Sequence, residues 1–185
     1  MLGAMHKINI TCLWRQKVLG LLSVFVFAAH NLEEILTIQG WLETADLPPY
    51  FHGIYGHDVF FIAAIILVVI YFVIALLHGL CPGPVLFNIF LLSFSAIAAN
   101  ALATVLASIM RYGYTPGLWT SVFVILPFSM MFYYLTARRQ EAGWKKIAFV
   151  FSFGFLLQMP IIMAALWMAG MLKDDFRVIF KALSF

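Results

Sequence analysis

The stretch "VLGLLSVFVFAAHNLEEILTI", residues 18–38, decides the class of fold. A membrane-spanning helix needs about 20 predominantly apolar residues, and this stretch has that length. It is almost wholly apolar up to Ala29 and then carries His30, Glu33 and Glu34 within five residues. The rest of the chain has the same character. Of its 185 residues, 64% are hydrophobic and only 10% charged, with a mean hydropathy of +1.01. A soluble domain carries about 45–50% apolar and about 25% charged residues. The composition is that of a polytopic membrane protein, and the length leaves little room for a separate soluble domain.

Five segments are long and apolar enough to span: residues 18–38, 58–77, 84–110, 117–136 and 145–171. They are separated by "DLPPYFHGIYGH", "CPGP", "YGYTPG" and "ARRQEAGWKK", all rich in turn-forming or charged residues. No internal repeat or low-complexity tract interrupts them. The expected architecture is an all-α integral membrane bundle of about five helices, with residues 1–185 as a single transmembrane domain.

Basic residues orient such a bundle. With the N-terminus on side A, that side carries Lys7, Arg15, Lys17, Arg138, Arg139, Lys145 and Lys146, while side B carries Arg111, Lys173, Arg177 and Lys181. Short loops rich in Lys and Arg stay cytoplasmic. The expected arrangement is therefore a multi-pass protein of the cell (inner) membrane, N-terminus inside and C-terminus outside. Cys12 and Cys81 then fall near the reducing side, and no disulfide is required. Lys7, Arg15 and Lys17 followed by an apolar run and "VFA" could also read as a signal peptide; an uncleaved first helix is the reading taken. The net charge of +3 is too small to suggest nucleic acid.

Side chains on a helix follow one another at about 100°. On that spacing Ser23, His30, Glu33, Glu34 and Thr37 share one face of the first helix, towards side B. Lipid cannot solvate such a stripe, so it should face the bundle interior. On the third helix Ser93, Asn100, Thr104 and Arg111 also fall on one face, within roughly 40° of one another. The side B loops add His52, His57, Asp58, Tyr114 and Thr115. Polar groups distant in sequence thus converge at one end of the bundle, where they are expected to line a cavity.

His and Glu at three- and four-residue spacing can hold a divalent metal such as zinc, iron or manganese. The expected ligands are His30 and Glu34, completed by His57 and Asp58, with His52 next. Without a metal, His30, Glu33 and Glu34 could work as general acid and base. Structural alternatives stand beside each reading. The Glu pair could be a solvated helix end, His52 and His57 exposed loop or cap residues, and Asn100 and Thr104 interhelical hydrogen-bonding groups. Trp14, Trp41, Trp119 and Trp144 sit near segment ends, as interfacial anchors do, and His6 and His78 lie near side A, away from the cluster. In "YTPG", Pro116 can begin the fourth helix, Gly117 permits a close backbone approach, and Tyr114 can bring its hydroxyl to the cavity mouth; a tight helix-to-helix turn explains the same four residues.

"HNLEEI", His30 to Ile35, and "YTPG", Tyr114 to Gly117, resemble the two signatures of the HXXEE membrane proteins, and the Thr120–Ser121 pair that follows is also similar. The resemblance runs from about Leu19 to Thr136. It implies a small polytopic protein with a catalytic or ligand-binding His/Glu cluster, and it implies no settled activity. Members of that family tend to carry a further His on the helix before Y-x-P-G. Here Asn100 and Thr104 stand on that helix, which weakens a metal site unless His57 or His52 replaces the missing ligand.

Three functions remain open on this reading: a metal-dependent or acid–base enzyme acting on a hydrophobic or lipid-like substrate, a small proton- or cation-coupled transporter, and an accessory subunit of a larger membrane complex. The implied partners are the bilayer, a hydrophobic small molecule or lipid, and a partner membrane subunit. The asymmetry of seven basic residues against four generates the first prediction. A periplasm-active reporter fused after Phe185 should be active, and a reporter that works only in the cytoplasm would invert the topology.

Overall fold

The computed structural model describes the backbone of residues 10–44 and 56–183 and the side chains of 17–44 and 56–176. His52, Cys12, Trp14 and the basic side chains at Lys7, Arg15, Arg177 and Lys181 therefore lie outside the described side chains. Helix α1 runs Ile10–Thr44, α2 His57–Leu80, α3 Pro84–Arg111 and α5 Trp144–Leu183. Between α3 and α5 lies α4, residues 118–138, which is α-helical apart from one π turn at Ser121–Ile125. All five are long and apolar enough to cross a membrane. Among the described residues no strand occurs. The chain is an all-α bundle of membrane-spanning type.

Two helices outrun the stretches expected from hydropathy. Helix α1 continues six residues past Ile38, and α5 continues from Met171 to Leu183. Loss of hydropathy at Lys173–Asp174–Asp175 marks where α5 can leave an apolar layer, not where its hydrogen-bonding ends. Pro160 lies inside α5 without ending it, as membrane helices tolerate when neighbours re-satisfy the freed carbonyl.

Helix α1 packs mainly on α2, while α5 packs on α3 and α2. The α3–α5 seam is built on small residues. Ala96, Ala98, Ala99 and Ala101 of α3 are buried, and α5 meets this surface with Gly154. A Cβ added to Gly154 would stand 2.8 Å from the backbone N of Ala96 and 2.8 Å from the carbonyl carbon of Ser95. Small residues are what allow such close backbone contact between membrane helices. Phe90, Leu91, Phe94 and Ile125 fill the centre. The outer surface is apolar too, with Phe25, Leu36, Met110 and Phe149 each more than 70% exposed. In water that surface would be a liability; in a bilayer it is the solvated face.

The π turn lies just before Pro127, which has no N–H to donate. The N–H of Leu126 bonds back five residues to the Ser121 carbonyl, so the helix gains one residue there and re-enters α geometry with Pro127 in its first turn. This holds the start of α4, which carries part of the polar site, in a register different from the rest of the helix.

Close packing at Gly154 generates the second prediction. Gly154→Ala should lower stability by about 1–3 kcal/mol, because backbone has to move to admit the methyl group. Gly170→Ala, where nothing lies within 4 Å of the added atom, should be neutral. Thermal unfolding of the purified protein reads both, and equal melting temperatures for the two variants would contradict the seam.

Candidate functional site

The site is assembled where the polar stripe of α1 meets the turn that opens α4. Residues Thr115–Leu118 form a β-turn, closed by the Leu118 N–H donating to the Thr115 carbonyl at 3.0 Å. Gly117 has φ 80° and ψ 3°, the values of the third position of a type II turn, with Pro116 in the favoured second position. Pro116 thus precedes the helix cap instead of starting the helix, and Gly117 is the N-cap itself. That glycine is required twice over. Its φ is left-handed, and a Cβ there would sit 2.5 Å from His30 Cε1 and 2.9 Å from Glu34 Cγ. The backbone of the turn is pressed directly onto the His30–Glu34 pair.

A glycine N-cap offers no side chain to the first N–H groups of α4, and lipid offers none either. Glu33 of α1 supplies the acceptor. Its Oε1 accepts from the Trp119 N–H at 3.1 Å and from the Tyr114 hydroxyl at 2.7 Å. Its Oε2 accepts from the Thr120 N–H at 2.7 Å and the Thr120 hydroxyl at 2.6 Å. The carboxylate also sits at the positive end of the helix dipole. Tyr114 leans on Thr37 Oγ1 at 3.2 Å as well. Burial and the neighbouring Glu33 carboxylate hold its phenol above its ordinary value, against the opposing contact with Thr37, so it stays a donor. Glu33 is a cap and a strap between helices, with both oxygens occupied by protein donors.

His30 is 1% exposed. Its Nδ1 lies 2.9 Å from Thr120 Oγ1, and its Nε2 lies 3.2 Å from Glu34 Oε1 and 3.4 Å from the amide nitrogen of Asn100. A proton count orders this arrangement. Thr120 has one hydroxyl proton, and the short contact to the Glu33 carboxylate takes it, a charge-assisted bond being the stronger. Thr120 Oγ1 is then open to accept from His30 Nδ1. Nε2 faces both Glu34 and the Asn100 amide, and one proton between Nε2 and Oε1 would make the 3.2 Å contact a hydrogen bond. Glu34 keeps 16% of its surface exposed, and it is the outward-facing member of the pair.

The other expected site residues separate into those the structure brings in and those it does not. Asn100, Tyr114, Pro116 and Gly117 are in the site. Thr104 is buried but donates to the Asn100 carbonyl at 3.0 Å; it ties down its own helix one turn past Asn100. Ser93 likewise donates to the Ile89 carbonyl. Arg111 lies over the Trp41 ring, 5.1 Å from its centroid, at the C-terminal ends of α1 and α3. The four-residue metal set is not assembled. His57 and Asp58 pair with each other at 3.9 Å, about half exposed, and among the described residues no three His, Cys, Asp or Glu side chains gather as metal ligands. Residue type alone had selected His57 and Asp58, and the start of α2 leaves them in the open. The residue that sequence reasoning undervalued is Thr120. The signal for it was present: a helix opened by Pro-Gly in an apolar chain must find its N-terminal acceptor elsewhere, and a hydroxyl three residues past the Gly is placed to help hold it.

The unequal duties of the two carboxylates generate the third prediction. Glu33→Gln should cost about 1–3 kcal/mol, since an amide replaces a charged acceptor of four bonds. Glu34→Gln should change stability by less than about 1 kcal/mol, because an amide carries both a donor and an acceptor and can hydrogen-bond His30 Nε2 in either tautomer. Thermal unfolding compares them; an equal or larger loss for Glu34→Gln would reject the division.

Sequence comparison agrees with the signatures noted above. The profile of the HXXEE family, described as a protein of unknown function with HXXEE motif, matches residues 21–132. That range contains both the His30–Glu34 segment and the Tyr114–Gly117 turn. No curated protein and no solved structure matches the chain. With more than half of its length matched, and with both motifs meeting in one site, the chain belongs to the HXXEE family.

Proposed function

We propose that the protein is an integral-membrane enzyme of acid–base type, in which His30 and Glu34 exchange a proton with a hydrophobic or lipid-like substrate near the non-cytoplasmic face of the cell membrane. The observation that carries this reading is the contrast between the two glutamates. Glu33 is saturated by four protein donors, whereas Glu34 is paired with a buried imidazole and is partly open outward. An ionisable pair kept inside an apolar span is costly to retain for packing alone.

His30 is oriented by Thr120, which meets Nδ1 and leaves Nε2 aimed at Glu34. Proton transfer between Nε2 and Oε1 needs no movement of the backbone, and Gly117 holds the two side chains together from above. Glu34 acts as the proton donor to substrate or its acceptor, and His30 takes up the difference. Asn100 steadies the imidazole from α3. Among the described residues the site offers a metal one imidazole and one carboxylate, whereas catalytic zinc takes three protein ligands. The donor set does not fit that role, and no step is assigned to a metal.

Positioned acid–base groups contribute about 10²–10⁴-fold to rate, so Glu34→Gln should remove nearly all activity. The test is mass spectrometry of total lipid extracts from cells producing the wild type or Glu34→Gln at equal levels. A lipid species that rises or falls with the wild type and not with the variant supports the enzyme. Extracts that are indistinguishable in all cases would overturn it.

A further inference from the structure

At the opposite end of the bundle four helices close around a second polar group that the His30 site does not use. His78, in the last turn of α2, is 6% exposed, and its Nδ1 has no hydrogen-bond partner among the described residues. Its ring stacks on Phe90, with centroids 4.9 Å apart and planes 14° from parallel. His78 lines a cleft together with Leu19 of α1, Phe87 of α3, and Leu135, Thr136 and Arg139 at the end of α4. Its cavity is about 10 Å³, room for a single oxygen atom or one water. Buried polar atoms are rarely left unpaired, because they lose their water without compensation. The cleft therefore calls for an oxygen-bearing partner from outside.

The charges around the mouth say what kind. Arg139 lines the cleft. The stem of Lys17 lies against Gly79, beside His78: a Cβ on Gly79 would be 3.5 Å from Lys17 Cγ. Lys146 of α5 holds its Nζ 5.5 Å from the centroid of the Phe87 ring and donates to Asn88 Oδ1 at 2.7 Å. Against these three cations stands Glu141, 4.0 Å from Arg139 and itself on the lining. The walls below are leucine and phenylalanine. The cleft lies where the second span ends at Leu80, the third begins at Pro84 and the fourth ends at Arg138. That is the depth of lipid headgroups. Basic clefts between helices at this depth suit anionic lipid heads.

We propose that the mouth of this cleft binds the phosphate headgroup of an anionic phospholipid, with one headgroup oxygen reaching His78 Nδ1 and with Lys17, Arg139 and Lys146 around the phosphate. The site is separate from the His30–Glu34 pair, and its occupancy does not depend on the activity proposed there.

The test uses the full chain, labelled with ¹⁵N in histidine, in nanodiscs of phosphatidylcholine alone or mixed with phosphatidylglycerol. The His78 ring resonances should shift with phosphatidylglycerol while those of His30 stay in place. The His78 signal is assigned by its loss in His78→Gln or, should that variant not fold, by its contacts to the Phe90 ring. Native mass spectrometry should show Arg139→Gln and Lys146→Gln each retaining phosphatidylglycerol roughly fivefold less well than the wild type, with unchanged melting temperature in phosphatidylcholine. Identical His78 spectra in the two lipids would mean that the cleft does not select an anionic head and would overturn the proposal. So would an equal shift produced by inorganic phosphate in phosphatidylcholine discs, which would assign the site to a soluble anion.

Discussion

The start of α4 has to find an acceptor for its free N–H groups outside its own turn. In a bilayer each unsatisfied backbone group costs several kcal/mol, and the local sequence supplies no cap, since Gly117 has no side chain. The answer is intermolecular in style but made within one chain: a carboxylate on α1, 86 and 87 residues away from the N–H groups of Trp119 and Thr120, accepts both. Most of the site's geometry follows from that one strap. It draws the type II turn down onto α1, and only a glycine at 117 can make the resulting contact with His30 and Glu34.

The same strap fixes chemistry one residue further on. The Thr120 hydroxyl that meets Glu33 also meets His30 Nδ1 and holds the ring in place. A histidine oriented by a hydroxyl that is itself oriented by a carboxylate has little freedom left. The π turn beginning at Ser121 belongs to the same constraint. It lets α4 start in the register demanded by Glu33 and His30 and continue, past Pro127, in the register demanded by packing of Phe132 and Thr136 near α2 and α3.

Much of this was legible in the sequence. Hydropathy is a property summed over twenty residues, so the number of spans was robust, and the 100° spacing placed His30, Glu33, Glu34 and Thr37 on one inward face. Individual partners were less legible. The rule that puts Glu33 and Glu34 on one face cannot tell them apart, because their difference lies in what α4 presents to each. Thr104 and Ser93 lay on the expected face of α3, yet both spend their hydroxyls on the preceding turn, an option open to any Ser or Thr on a helix. His57 and Asp58 were chosen for ligand chemistry at the correct end of the bundle, and proximity to an end is not proximity to a site. Arg111 was placed in the cavity by its angle; its length lets it reach out over Trp41 instead.

Why should the signature carry two adjacent glutamates? Neighbours on a helix point about 100° apart, so they can address two different partners from the same depth. One turns towards α4 and is consumed by the cap; the other lies one turn beyond His30, on the side from which it can reach Nε2. A single glutamate could not do both, since a carboxylate bonded to four donors has no basic oxygen left to offer a histidine. Separating the two by another residue would rotate one of them out of the interior. The His-x-x-Glu-Glu spacing and the Tyr-x-Pro-Gly turn are therefore two halves of one device. The turn creates the demand that Glu33 meets and also covers the pair that Glu33 leaves unsaturated. What the motif leaves unsaturated is the part that its own architecture did not use up.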